Sequence, residues 1–135
     1  MKDDLVEIVE QIQRQCILVI GDMVADVYLD GRISRISREA PVLVLEQEKE
    51  NFVPGGAANV VHNVATLGGL VWAVGILGSD EQGRGLRLVL EEKGVNTEGL
   101  VHDSSRLTIS KTRVVAGGAG TVSQQIVRID RETKA

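Results

Sequence analysis

Two short segments of the 135-residue chain carry residue types at spacings suited to chemistry. The first is Gly55-Gly56-Ala57-Ala58-Asn59. Paired glycines at a helix start let backbone amides approach a ligand, and the unsatisfied N–H groups of a first turn favour oxygen-rich or anionic groups. Asn59 lies one turn further in and offers both a donor and an acceptor to hydroxyls. A tight loop that needs positive φ before a packed helix accounts equally well for the same glycines. The second segment is Gly21-Asp22-Met23-Val24-Ala25-Asp26, directly after the apolar run Cys16–Ile20. In open α/β sheets ligands bind beyond the carboxyl ends of strands. There Asp22 and Asp26 would accept hydrogen bonds from hydroxyls or hold a cation; otherwise Asp22 caps a turn and Asp26 sits on a solvated edge.

Other chemistries are poorly served. Gly83-Arg84-Gly85 lacks the third glycine of a dinucleotide fingerprint and falls inside a helical pattern, and no P-loop is present. His62 and His102 have no His or Cys at ligand spacing, which argues against zinc. Ser34, Ser37 and Ser110 have no base nearby in sequence. With 15 Lys+Arg against 19 Asp+Glu the net charge is −4, the wrong footprint for nucleic acid. One each of Phe, Trp and Tyr leaves few stacking platforms for single strands. A lone Cys16 excludes an internal disulfide and fits a reducing compartment. Acidic residues at the start exclude a targeting peptide, and no apolar run reaches the ~18 residues of a membrane span. A soluble, cytoplasmic protein is expected, and 43% hydrophobic residues suffice for a core.

The elements that must position the two segments follow from periodicity. Leu5, Ile8, Val9 and Ile12 make residues 1–15 a leading amphipathic helix. Cys16–Ile20 reads as a central parallel strand buried on both faces. Val27, Leu29, Gly31 and Ile33 alternate with polar residues, giving a strand with one wet face, with Val42–Glu46 as its partner. Asn51–Pro54 reads as a loop, and Gly55-Gly56 opens a helix that runs through Leu67 and ends at Gly68-Gly69. Leu70–Leu77 is a second apolar strand, and Asp80 caps a helix that Gly94 closes. Leu107–Val115 and Val122–Ile129 read as a hairpin turning at Gly117-Gly118-Ala119-Gly120. Strands alternating with helices make an α/β layered fold.

Together these segments resemble the ribokinase-like (PfkB-type) carbohydrate kinase family. Its glycine signature reads here as Gly55-Gly56-Ala57-Ala58-Asn59, then Gly68 and Gly78, continuing into Gly78-Ser79-Asp80, Gly83, Leu86, Leu90 and Gly94-Val95. Val61 stands where a small residue is usual. Within the family the likeness is to the kinase part of the heptose kinase/adenylyltransferase enzymes. It is carried by V-I-G-D-M-V-A-D at 19–26, S-R-I-S-R-E-A-P-V at 34–42 and Q-Q-I-V-R-I-D at 124–130. Arg38 stands where that group has Pro, and Ala25 where it has a bulkier residue.

The resemblance implies the N-terminal part of a ribokinase-like (Rossmann-like) three-layer α/β/α fold with a small β-sheet lid. Residues 16–135 would be the N-terminal portion of the kinase domain, with lid strands within about 27–50 and 107–130. It implies a sugar kinase using ATP and Mg2+ in the intact enzyme, with a heptose 7-phosphate as acceptor at its anomeric hydroxyl, on the route to lipopolysaccharide core. Asp26 matches the carboxylate that holds sugar hydroxyls; Gly55, Gly56 and Asn59 match the sugar-facing loop, and Asp22 assists. A phosphorylated sugar also needs cations. Arg32, Arg35, Arg38, Lys111, Arg113 and Arg128 are the candidates, and Lys111 and Arg128 are preferred because their strands continue the resemblance. The lid is expected to pair with a second subunit's lid.

The family's Gly-Ala-Gly-Asp segment, which serves the transfer step, is absent; Gly118-Ala119-Gly120 is followed by Thr121. No catalytic residue and no metal ligand is assigned, and the ATP-binding half is expected to be missing. Three readings therefore stand: the sugar-binding portion of a kinase, a noncatalytic sugar-binding or dimerisation module of that fold, or an unrelated α/β nucleotide-binding domain.

Overall fold

Alternating burial along the strands sorts the chain into two sheets with two helices against them. The structure, a computed structural model, describes residues 2–13, 15–117, 120 and 122–132. In chain order the elements are α1 (Lys2–Ile12), β1 (Cys16–Ile20), β2 (Met23–Ile36), β3 (Leu43–Gly56) and α2 (Ala57–Thr66). They continue with β4 (Leu70–Gly78), α3 (Glu81–Glu92), β5 (Asn96–Asp103), β6 (Ser110–Gly117) and β7 (Gln124–Arg131). The hairpin residues Gly118, Ala119 and Thr121 lie outside the described residues.

The first sheet is parallel, in the order β1-β4-β5. Helices α2 and α3 cover one of its faces: Ala58, Val61, Leu86 and Leu90 form one buried cluster with Val71, Ala73, Leu77 and Leu100. At roughly 25 cal/mol per Å2 of apolar surface, burying each large side chain contributes about 2 kcal/mol. Among the described residues nothing covers the other face. Leu18 is 60% exposed and Ile20 71%, and Leu70, Trp72, Ile76 and Val101 are exposed beside them. The expectation that Cys16–Ile20 is buried on both faces is therefore corrected. It is an edge strand with alternating burial, because both helices that follow it pack on the same side. The apolar stripe of α1 is exposed as well, at Leu5, Val6, Ile8 and Val9. Among the described residues no helix is long and apolar enough to cross a membrane.

The second sheet has the order β3-β2-β6-β7. Strand β2 runs antiparallel to β3 and parallel to β6, and β6 runs antiparallel to β7. Both β2 and β3 exceed their expected spans. Asn51–Pro54, read as a loop, lies inside β3, where Pro54 pairs with Ala25. Proline lacks an N–H and is tolerated there because β3 is an edge strand. Strand β5, N-T-E-G-L-V-H-D, has no clear period of its own and forms alongside β4.

One carboxylate ties the two sheets together. Asp80 caps α3 by accepting from the Gly83 amide at 3.0 Å. It also accepts from the Thr108 hydroxyl at 2.6 Å and from the Thr108 amide at 3.1 Å, just before β6. The Thr108 hydroxyl in turn accepts from the Gly78 amide at 2.8 Å, at the end of β4. The close approach explains the glycine: a Cβ at position 78 would stand 2.6 Å from the Arg106 carbonyl oxygen and 2.6 Å from the Thr108 nitrogen. Burial pushes the Asp80 pKa up, but the hydrogen bonds from Thr108 and Gly83 outweigh it, so the group lies below its ordinary value.

Two outcomes are expected. A carboxyl depressed in the folded state adds stability that is whole above the ordinary aspartate range and is lost as pH falls through the folded value. Asp80→Ala should therefore cost about 2 kcal/mol at neutral pH and flatten the loss of stability in acid, read by urea denaturation at both conditions. The bare apolar face should drive self-association at micromolar concentration. Sedimentation velocity should show oligomers that Leu18→Ser with Ile20→Ser disperses; a monodisperse wild-type monomer would contradict it.

Candidate functional site

Period two along β2 places Val24, Asp26, Tyr28 and Asp30 on one face of the second sheet, and register sets their neighbours. Asp26 is flanked by Val53 on β3 and Lys111 on β6, and Lys111 faces Asp130 on β7. One step along, Tyr28 lies between Asn51 and Arg113, and Arg113 faces Arg128. The result is a face of alternating charge rather than a wet, featureless surface.

Asp26 is its centre. Arg113 Nη1 donates to Asp26 Oδ1 at 2.8 Å, with the two side chains only 20% and 21% exposed. The guanidinium carbon lies 5.1 Å from the Tyr28 ring centroid, so cation–π attraction holds Arg113 in the same position. Its hydrogen bond to Asp26 pushes the Arg113 pKa above its ordinary value. On the other side Asp26 lies flush against Gly55, where a Cβ would stand 2.5 Å from Oδ2. Gly55 is thus required by the carboxylate it touches.

Gly56 is required by the backbone. Its φ of 56° and ψ of −132° lie where side-chain-bearing residues are strained. A Cβ there would also meet the Asp22 carbonyl oxygen at 2.7 Å. That carbonyl accepts from the Ala57 amide at 2.9 Å and fastens the start of α2. The helix begins at Ala57 rather than at the glycines, and no side chain caps it.

The structure brings some expected residues together and leaves others apart. Asp26, Gly55 and Lys111 share one corner, and Asp22 is exposed at the β1–β2 turn, joined to it through backbone. Asn59 is exposed on α2, where its Oδ1 accepts from Asn63 at 3.5 Å. Arg128 lies two strands from Asp26 and forks onto its own near neighbour Asp130, at 2.9 Å for both contacts. Arg32 pairs with Glu46 at 2.8 Å across β2–β3, a surface salt bridge. Arg113 was one of six cation candidates but not a preferred one. The signal was present, since Lys111 and Arg113 are two apart and must share a face of any strand.

Among the described residues no three His, Cys, Asp or Glu side chains converge to hold a metal ion. An apolar recess of about 340 Å3 lies between α3 and the opposite face of β2–β3, lined by Val27, Phe52 and Gly85. It is separate from the Asp26 face.

Gly55→Ala should displace the Asp26 carboxylate and cost about 1–3 kcal/mol by overpacking. On an Asp26→Ala background, where the group it strikes is gone, the cost measured by urea denaturation should shrink markedly.

Comparison with known proteins agrees with this geometry. The bifunctional protein HldE of Citrifermentans bemidjiense is 53% identical over 118 residues, which is 87% of this chain and 23% of that protein. The chain thus spans about a quarter of the length of the curated relatives it matches. A carbohydrate kinase from Agrobacterium tumefaciens superposes with a TM-score of 0.64 at 20% identity, over 86% of this chain and 35% of the other. A fructokinase with bound ATP from Xylella fastidiosa does so with a TM-score of 0.53 at 34% identity, over 76% and 29%. The layered α/β arrangement is accordingly that of the ribokinase-like N-terminal part. The profile of pfkB family carbohydrate kinases matches residues 14–130, and the chain belongs to that family.

Proposed function

We propose that this chain is the sugar-recognising portion of a kinase that moves the γ-phosphoryl group of ATP to a sugar hydroxyl. The acceptor is the anomeric hydroxyl of a heptose 7-phosphate. The observation that carries the reading is Asp26, an ionised acceptor held at the mouth of a glycine turn by Arg113. A carboxylate held in one orientation offers charge-assisted acceptors to sugar hydroxyls, and so orients a polyol. The likeness to the heptose kinase/adenylyltransferase enzymes supports the choice of sugar, and the ATP-bound fructokinase at 34% identity supports the choice of donor.

The roles follow from position. Asp26 accepts from sugar hydroxyls; Gly55 and Gly56 bring backbone against the ring; Asn59 and Asp22 close the hydroxyl-facing side. Lys111 and Arg128 meet the anionic end, from strands that share the Asp26 face. The second sheet acts as a lid that excludes water, a competing phosphoryl acceptor, and pairs with the lid of a second copy. In the transfer, a bond forms between the hydroxyl oxygen and the γ-phosphorus, the bond to the bridging oxygen breaks, and ADP leaves. The hydroxyl proton passes to a base. ATP with Mg2+ supplies the phosphoryl group and its charge neutralisation in the whole enzyme. The base belongs to the family's Gly-Ala-Gly-Asp segment, so the 135-residue chain alone recognises sugar without turning it over.

Isothermal calorimetry of the 135-residue chain with heptose 7-phosphate tests this directly. Asp26→Asn should weaken binding about tenfold or more by removing an ionised acceptor. Unchanged affinity with the fold intact would remove Asp26 from the sugar site. ADP release from ATP that depends on the sugar, catalysed by the purified chain, would overturn its assignment as the recognising portion alone.

A further inference from the structure

The pairing of Asp26 with Arg113 sets up a second question, namely what Arg113 is for. Lys111 and Arg113 both project from β6 on the Asp26 face, yet Arg113 is the one bonded to Asp26. Three constraints put it there. The Tyr28 ring, 5.1 Å away, supports the guanidinium. Arg128 lies directly opposite Arg113 on β7, and like charges facing each other across strands repel. Each guanidinium is drawn instead to its own carboxylate: Arg128 to Asp130 at 2.9 Å, Arg113 to Asp26 at 2.8 Å.

The consequence falls on Asp26. A lone carboxylate on a short side chain turns about its own bonds and samples several orientations. Here Oδ1 is tied by Arg113, and Oδ2 lies in the space that a side chain at position 55 would fill. The hydrogen bond holds the carboxylate in one orientation before any ligand arrives. Preorganisation of this kind removes an ordering cost from binding.

We infer that Arg113 is a positioning residue that acts through Asp26, locking the carboxylate in the orientation that receives sugar hydroxyls, rather than a contact for the sugar's phosphate. This rests on the sugar-binding reading above. It separates Arg113 from Lys111 and Arg128, which remain for the anionic end.

The distinguishing experiment compares three probes by calorimetry on the full chain: heptose 7-phosphate, the same heptose without phosphate, and inorganic phosphate. Arg113→Gln should weaken both heptoses by the same factor, about tenfold or more. Added to Asp26→Asn it should cause no further loss, because the group it positions is already changed. Arg113→Lys, which keeps the charge but not the planar fork, should recover part of the affinity and guards against misfolding of the glutamine variant. A loss confined to heptose 7-phosphate and inorganic phosphate, or effects that add to those of Asp26→Asn, would overturn the inference, as would unchanged affinity. The ion pair is read separately, from the exchange protection of the Arg113 Nη1–H resonance at low temperature and its loss in Asp26→Asn. If that resonance is protected but wild type binds neither heptose, the sugar-binding reading fails and this inference with it. If wild type binds and Arg113→Gln is silent, the inference alone fails.

Discussion

A carboxylate four-fifths buried on a sheet face needs a cation or hydrogen-bond donors beside it to offset its lost hydration. That requirement, met at Asp26 by Arg113, governs the second sheet. The two residues are 87 positions apart in sequence. Their contact is available only if β6 lies parallel to β2 with Asp26 beside Lys111 and Tyr28 beside Arg113. A one-residue slip would send Arg113 to the opposite face and leave Asp26 buried and unpaired. The same contact sets the demand at Gly55, because a carboxylate held on one side by a guanidinium leaves no room for a side chain on the other.

The two sheets are coupled at a different polar point. Asp80 and Thr108 form a closed set of hydrogen bonds joining the end of β4, the start of α3 and the approach to β6. The rigid parallel layer thus carries the charged sheet at a fixed root, while the far strand β7 is exposed along its whole length. The bare face at Leu18, Ile20 and Trp72 shows the other side of the same economy: two helices on one face leave the second face without a partner.

Some of this was legible in the residues. Asp80 as a cap, Gly68 with φ of 86° at the end of α2, and Gly94 with φ of 75° after α3 each express a local rule that neighbours cannot override. The paired glycines were legible too, although the helix starts one residue beyond them. Less visible was Pro54, which reads as a loop until β3 is known to be an edge strand. Strand β5 was hidden because its residues have no period of their own; the strand exists because β4 offers a ladder.

The sequence by itself determined the family and the layered α/β class, because a spaced glycine pattern and the alternation of strands with helices survive without knowledge of packing. Only the tertiary structure decided which cation serves Asp26. Six candidates are equivalent as letters, and the choice depends on which strands become neighbours, in which direction and at which register. It also decided that Cys16–Ile20, apolar throughout, would be covered on one face only. Hydrophobicity says that a strand prefers burial, but what buries it is settled by the elements that arrive beside it.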